Sequence, residues 1–206
     1  LSLRLERHSH GNHQLTELAA LACLGRVWPG PEWVLPRLAS ETERQFLAGG
    51  GHCERSPRYH LDTIQDLIDV LACYGDAVPE AVGTTLRRAI VAGVEFGRWM
   101  SHGDGDVALF SDGALSDGHG VEALAGAAES LGMVCPAVGA FCSMPDEGFV
   151  VSRRGDTRLI VDCGPVGAPD QPAHGHCDIL SFELSDGPRR VVGNRGTAAY
   201  SGPGRR

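Results

Sequence analysis

Lysine is absent from this chain of 206 residues: all 18 of its basic residues are arginine. That excludes chemistry built on a lysine amine, from Schiff bases to the phosphate grip of a P-loop. Positive charge is scarce overall. The formal net charge is −8, whereas affinity for a phosphate backbone needs concentrated Lys and Arg, so no nucleic-acid partner is expected. A polyanionic substrate would then have to be held by a local cluster of arginines. No apolar run approaches the 18 or more residues of a membrane span. The seven cysteines (23, 53, 73, 135, 142, 163 and 177) are odd in number and scattered, without a CxxC pair. Neither a zinc ribbon nor a thioredoxin-like site is indicated, and mostly buried thiols are expected. The chain also lacks an initiator Met and a signal peptide, and it stops just after a strand-like run, so a fragment of a longer protein is expected.

What is present is ordinary for a globular protein: 42% hydrophobic and 21% charged residues, in a length that can bury a core. The first two-thirds read as helical. In "NHQLTELAALACLG", Leu15, Leu18, Ala19, Ala22 and Cys23 recur at helical spacing, and Gly25 closes the pattern. A second helix is expected over about 32–47, with Leu35, Leu38, Thr42, Gln45 and Phe46 on one side. A third carries the stripe Ile64, Leu67, Ile68 and Leu71 between an N-cap at Asp62 and a stop at Gly75. Two more are expected over about 79–100 and 120–132. Paired helices joined by Gly/Pro-rich loops suggest stacked α-hairpins.

The character changes after about residue 146. "GFVVSRRGDTRLIVDCG" holds two β-rich runs around an Arg-Gly-Asp turn, and "DILSFELSDGPRRVVGNRG" repeats the pattern around Ser-Asp-Gly-Pro. Helices first and antiparallel strands second is α+β layering or two domains, with a helical part over 1–140 and a β part over 147–206. The stretch 101–119 is rich in Gly and Asp. Its carboxylates at Asp104, Asp106, Asp112 and Asp117 lack EF-hand spacing, so a solvated, turn-rich connection is expected.

Seven of the nine histidines fall in three stretches: "HSHGNH" (8–13), "GGGHCERSPRYH" (49–60) and "PAHGHCD" (172–178). In the first, Asn12 and His13 precede an amphipathic helix, where Asn is a favoured N-cap and His13 a first-turn polar residue. In the second, a loop with Glu54, Arg55, Arg58, Tyr59 and His60 suits an anionic ligand. It also reads as Ser56-Pro57 starting a helix while Tyr59 packs its ring. In the third, alternation along a strand would turn His174, His176 and Asp178 to one side as a metal cluster. Pro172 and Gly175 argue instead for an irregular lead-in to a strand beginning near Asp178. A zinc-dependent hydrolase built on His174, His176 and Asp178 stays open on these residues alone.

Taken in order, "HGNHQL", "GGGHCERSPRYH", "PVGAPDQPAHGHCDILSFEL" and "VVGNRGTAAY" resemble the heparinase II/III-like polysaccharide lyases over nearly the whole chain. The resemblance implies an α+β multidomain fold: the C-terminal part of an incomplete α/α toroid, then the start of an antiparallel β-sandwich, with the active site between them. It implies β-elimination at a uronic acid within an anionic polysaccharide. Such an enzyme neutralises the carboxylate, takes the weakly acidic C5 proton and protonates the leaving oxygen. By resemblance Asn12 neutralises the carboxylate with His13 beside it, Tyr59 is the base or acid, and His174 is the catalytic histidine of the β part. A phenol ordinarily ionises near pH ~10, so Tyr59 asks for neighbouring positive charge, with Arg55 or Arg58 as local candidates. Arg55, Arg58, His60 and Tyr200 are expected to bind substrate.

His176 matches a position that ligates structural zinc in some relatives. Asn194 stands where those relatives carry an aspartate ligand, and their third histidine would fall beyond Arg206. Asn is a poor zinc ligand, so no cofactor is expected to be required. A periplasmic or secreted bacterial location is implied by the family. A non-catalytic carbohydrate-binding relative, serving polysaccharide assembly or export, is the alternative of a different class.

Overall fold

The computed structural model describes residues 11–28, 30–115, 118–167, 175–177 and 179–197. Five α-helices come first: α1 (Asn12–Leu24), α2 (Val34–Gln45), α3 (Pro57–Tyr74), α4 (Glu80–Trp99) and α5 (Val121–Ser130). Five strands follow: β1 (Phe141–Met144), β2 (Phe149–Arg154), β3 (Thr157–Asp162), β4 (Phe182–Asp186) and β5 (Arg189–Val192). They pair in sequence order as one antiparallel sheet. This is the α+β order read from the sequence, although the sheet starts at Phe141, ahead of residue 147.

The helical stripes meet as their spacing predicts. Leu15, Leu18, Ala19 and Ala22 of α1 are buried with Leu61, Ile64, Leu67, Ile68 and Leu71 of α3 in one core. α3 also packs on α4 and α5, and α2 bridges α1 and α4. The inner face of the sheet joins the same core through Met144, Phe149, Val151 and Ile160. Phe149 stacks at 5.4 Å from Phe110 and 6.2 Å from Phe96 of α4, so the helices and the sheet share one hydrophobic joint. Two tight turns fix strand register: Gly155-Asp156 between β2 and β3, and Gly187-Pro188 between β4 and β5. Gly155 (φ 58°) and Gly187 (φ 55°) supply the left-handed backbone these turns need.

Four expectations are corrected. α3 starts at Pro57, not at Asp62: the Ser56 side chain accepts the Tyr59 N–H and Pro57 takes the first helical position. The 101–119 stretch is not a solvated connection throughout. Its run Val107-Ala108-Leu109-Phe110 is buried, because it threads between the helices and the sheet. None of the cysteines is fully buried, and Cys73, Cys163 and Cys177 are exposed; they sit beside the apolar stripes instead of on them. Finally, among the described residues the strand expected to begin near Asp178, β4, begins at Phe182. Gly175–Cys177 are irregular, and Ile179 and Leu180 form a turn with Leu180 at φ 64°. Asp178 itself lies outside the described residues.

Candidate functional site

The joint between the helices and the sheet gathers most of the polar side chains singled out above. It is built around the turn 52–56, which connects the N-termini of α1 and α3. At α1, the buried carboxylate of Glu54 accepts the Asn12 backbone N–H at 3.0 Å. A negative group there satisfies a donor that the helix leaves unpaired and complements the helix dipole. It also fixes where Asn12, half-buried, and His13, exposed, project from the first turn. At α3, Ser56 Oγ accepts the N–H of Tyr59 at 3.2 Å and donates to the Asp112 carbonyl at 2.6 Å.

Asp112 extends this line to the sheet side. Its Oδ1 lies 2.9 Å from His176 Nε2 and accepts the Thr197 hydroxyl at 2.6 Å. The adjacent Gly113 carbonyl accepts the Thr197 N–H at 2.8 Å. Backbone strain collects in the same region. The three non-glycine residues with left-handed φ among the described residues are Arg55 (56°), Ser111 (58°) and Leu180 (64°). Arg55 and Ser111 line one small cavity with Ile179, the residue before Leu180. Such conformations cost on the order of 1–3 kcal/mol each, persist only where the surroundings over-determine them, and cluster at functional sites.

The resemblance assigned Arg55, Arg58 and His60 to substrate; the structure shows what each touches within the protein. Arg55 donates through Nε to the Glu147 carbonyl at 3.1 Å, through Nη2 to Asp146 at 3.0 Å, and through Nη1 to the Gly167 carbonyl. It clamps the β1–β2 turn and the segment after β3 onto the helical part. Arg58 is 2% exposed, and its Nη2 serves Asp62 and the His119 carbonyl. His60 is 1% exposed, accepts the His52 N–H on Nδ1 at 3.2 Å and donates from Nε2 to the Gly93 carbonyl at 2.8 Å. Burial, with Arg58 nearby, lowers its pKa to about 4, against the pull of the Gly93 bond. Both ring nitrogens of this buried imidazole are thus hydrogen-bonded within the core.

The three glycines before this turn are also architectural. Glu147 Oε1 accepts the Gly49 N–H at 2.7 Å and the Gly51 N–H at 3.3 Å. A Cβ on Gly49 would stand 2.6 Å from the same carboxylate. Sequence reasoning missed both Asp112 and Glu147, because each acts on partners 56 or more residues away.

His174, Asp178, Tyr200 and His10 lie outside the described residues. His176 Nε2 lies 2.9 Å from Asp112 Oδ1, and Asn194 Oδ1 accepts the Arg195 N–H at 3.0 Å. Among the described residues no three His, Cys, Asp or Glu side chains converge as a metal site. No described helix is long and apolar enough to cross a membrane.

Comparison with known proteins matches residues 3–123 to the model "Heparinase II/III N-terminus" and residues 137–206 to "Heparinase II/III-like, C-terminal". Among solved structures, a heparinase III superposes with a TM-score of 0.70 at 16% identity, covering 92% of this chain and 35% of that one. A heparinase III with methylated lysines gives 0.68 at 21%, covering 94% and 33%. The heparan sulfate lyase HepC from Pedobacter heparinus gives 0.62 at 22%, covering 94% and 34%. These likenesses show a shared fold, and the chain spans about a third of the length of each. No curated protein shows a significant match.

Proposed function

Because the chain belongs to the heparinase II/III-like family, we propose that it is part of a polysaccharide lyase that cleaves a uronic-acid-containing glycan by β-elimination. The observation that carries the reading is the hydrogen-bonded line from Glu54 at Asn12, through Ser56 at Tyr59, to Asp112 and His176. What supports the reading is that the first turns of α1 and α3, which carry Asn12 and Tyr59, border the same polar joint as His176.

Arg55 spends its guanidinium on the carbonyls of Asp146, Glu147 and Gly167, and Arg58 is buried, so we assign neutralisation of the substrate carboxylate to the Asn12 amide, with His13 beside it. Charge develops on that carboxylate as the C5 proton leaves, so a donor held in place before the reaction stabilises the transition state without reorganising. Tyr59 takes the C5 proton or delivers one to the leaving oxygen, and His174 takes the complementary part. The electrons of the C–H bond form a carbon–carbon double bond as the glycosidic C–O bond breaks. No step uses a metal.

We read the five helices as the closing part of an α/α toroid and the sheet as one layer of a β-sandwich. The outer face of the sheet supports this: Val150, Val161 and Phe182 pair across β2, β3 and β4 as an apolar row, with Phe182 exposed. A periplasmic or secreted location goes with the reading. The test is the full-length protein assayed on a panel of uronate polysaccharides for the ultraviolet absorbance of unsaturated ends. Tyr59→Phe and His174→Ala should each nearly abolish product; near-normal activity in both variants sinks the assignment, and a wild type that binds glycan without turnover makes it a carbohydrate-binding relative.

A further inference from the structure

We propose that Asp112 is a positioning residue that sets the spacing between the Tyr59 turn and the segments carrying His176 and Thr197. The inference rests on the lyase reading for its catalytic meaning and on geometry for the coupling. One residue makes both halves of the connection. Its backbone carbonyl holds Ser56 Oγ, the atom that caps α3 and receives the Tyr59 N–H. Its carboxylate holds His176 and Thr197, 64 and 85 residues further along the chain.

The residues around Asp112 leave it little freedom. Ser111 before it is left-handed at φ 58°, and Gly113 after it packs so closely on Arg58 that an added Cβ would lie 2.8 Å from the Arg58 side chain. The Gly113 carbonyl takes the Thr197 N–H, and Gly196 approaches that same carbonyl. Residues 111–113 are therefore fixed from α3 on one side and from the segment after β5 on the other. The Asp112 side chain is 14% exposed and that of His176 33%, so the pair stands at the edge of the joint and not in the deep core.

The carboxylate does more than span a gap. Bound to Asp112 through Nε2, a neutral His176 carries its proton on that nitrogen and keeps Nδ1 as an acceptor. Asparagine at 112 preserves size but can turn its NH2 toward His176, which favours the opposite tautomer. Catalytic geometry tolerates little drift: a misplacement of ~1 Å can cost about 100-fold in rate.

The experiment uses the full-length protein and reads two things. Hydrogen exchange is compared in wild type and Asp112→Asn at the Tyr59 and Thr197 amides. Faster exchange at both, with exchange elsewhere unchanged, establishes the coupling whether or not the wild type is a lyase; unchanged exchange at either amide overturns it. Where the wild type releases unsaturated product, kinetics test the catalytic part. Asp112→Asn and Thr197→Val are expected to lower kcat about 10- to 100-fold with KM within about twofold and unfolding midpoints unchanged, while Thr197→Ser restores kcat. Wild-type kcat in Asp112→Asn, or a loss that follows falling stability in both variants, overturns the positioning role. A wild type without lyase activity overturns the functional reading instead, and the exchange result still decides the coupling.

Discussion

The carboxylate of Glu183, on the inner face of β4, lies 2.9 Å from the imidazole of His102, and both side chains are wholly buried. Glu183 also accepts the backbone N–H groups of Leu109 at 2.7 Å and Asn194 at 3.2 Å, and Arg190 Nη1 at 3.1 Å. Ser185 holds the other His102 nitrogen at 2.8 Å. One carboxylate therefore ties the loop after α4 to two strands of the sheet. Removing it strands its buried partners, which costs far more than the net worth of the pair. Glu183→Ala should lower the unfolding free energy by about 3–5 kcal/mol in urea titration, with Glu183→Gln intermediate. A loss below about 1 kcal/mol for Glu183→Ala would mean the network is solvated.

His60 predicts an acid limb in stability. Its pKa is lowered from 6.5 to about 4 by burial. Between those values the unfolded chain binds a proton that the folded chain refuses. Its contribution is complete above pH 6.5, is lost progressively as pH falls toward 4, and changes no further below that. The loss is on the order of 3 kcal/mol. Unfolding free energies measured across this range should show the slope, and His60→Gln should flatten it.

Two glycine-to-alanine substitutions should move stability in opposite directions. At Gly49 an added Cβ meets the Glu147 carboxylate at 2.6 Å, so Gly49→Ala should destabilise by about 1–3 kcal/mol. At Gly126, inside α5, nothing lies within 4 Å of an added Cβ. Gly126→Ala gains helix propensity and should stabilise by about 0.5–1 kcal/mol. Thermal unfolding of the two variants side by side checks the pair.

The outer face of the sheet should make this 206-residue chain self-associate. Phe141, Phe182 and Val192 are exposed there, a run of apolar side chains open to solvent. Phe182→Ser should reduce hydrophobic-dye binding and light scattering while changing unfolding free energy by about 1 kcal/mol or less. Unchanged dye binding would locate the sticky surface elsewhere.

The helices were legible because a stripe such as Ile64, Leu67, Ile68 and Leu71 is set by local periodicity, and the hairpins because glycine at 155 and 187 marks tight turns. The first turn of α3 was misread because buried Arg58 and His60 break its apolar pattern. The Ser-Pro pair at 56–57 was the signal that held. β1 was missed because its four residues are too short to show alternation. Within 49–60 the partners of Arg55 could not be read from the sequence, because Asp146, Glu147 and Gly167 lie about 90 or more residues further along the chain.

The sequence by itself determined the order of helices and strands, the family, and the short motifs by which the family is recognised. All of these are written in residues adjacent or a few positions apart. Tertiary structure alone decided which polar groups are spent on the fold. A guanidinium is a candidate ligand contact until its donors meet the carbonyls of Asp146, Glu147 and Gly167, and an aspartate is a loop residue until Ser56, His176 and Thr197 converge on it. Hydrogen-bond donors and acceptors are satisfied through space, and spacing along the chain carries no record of partners brought together by folding.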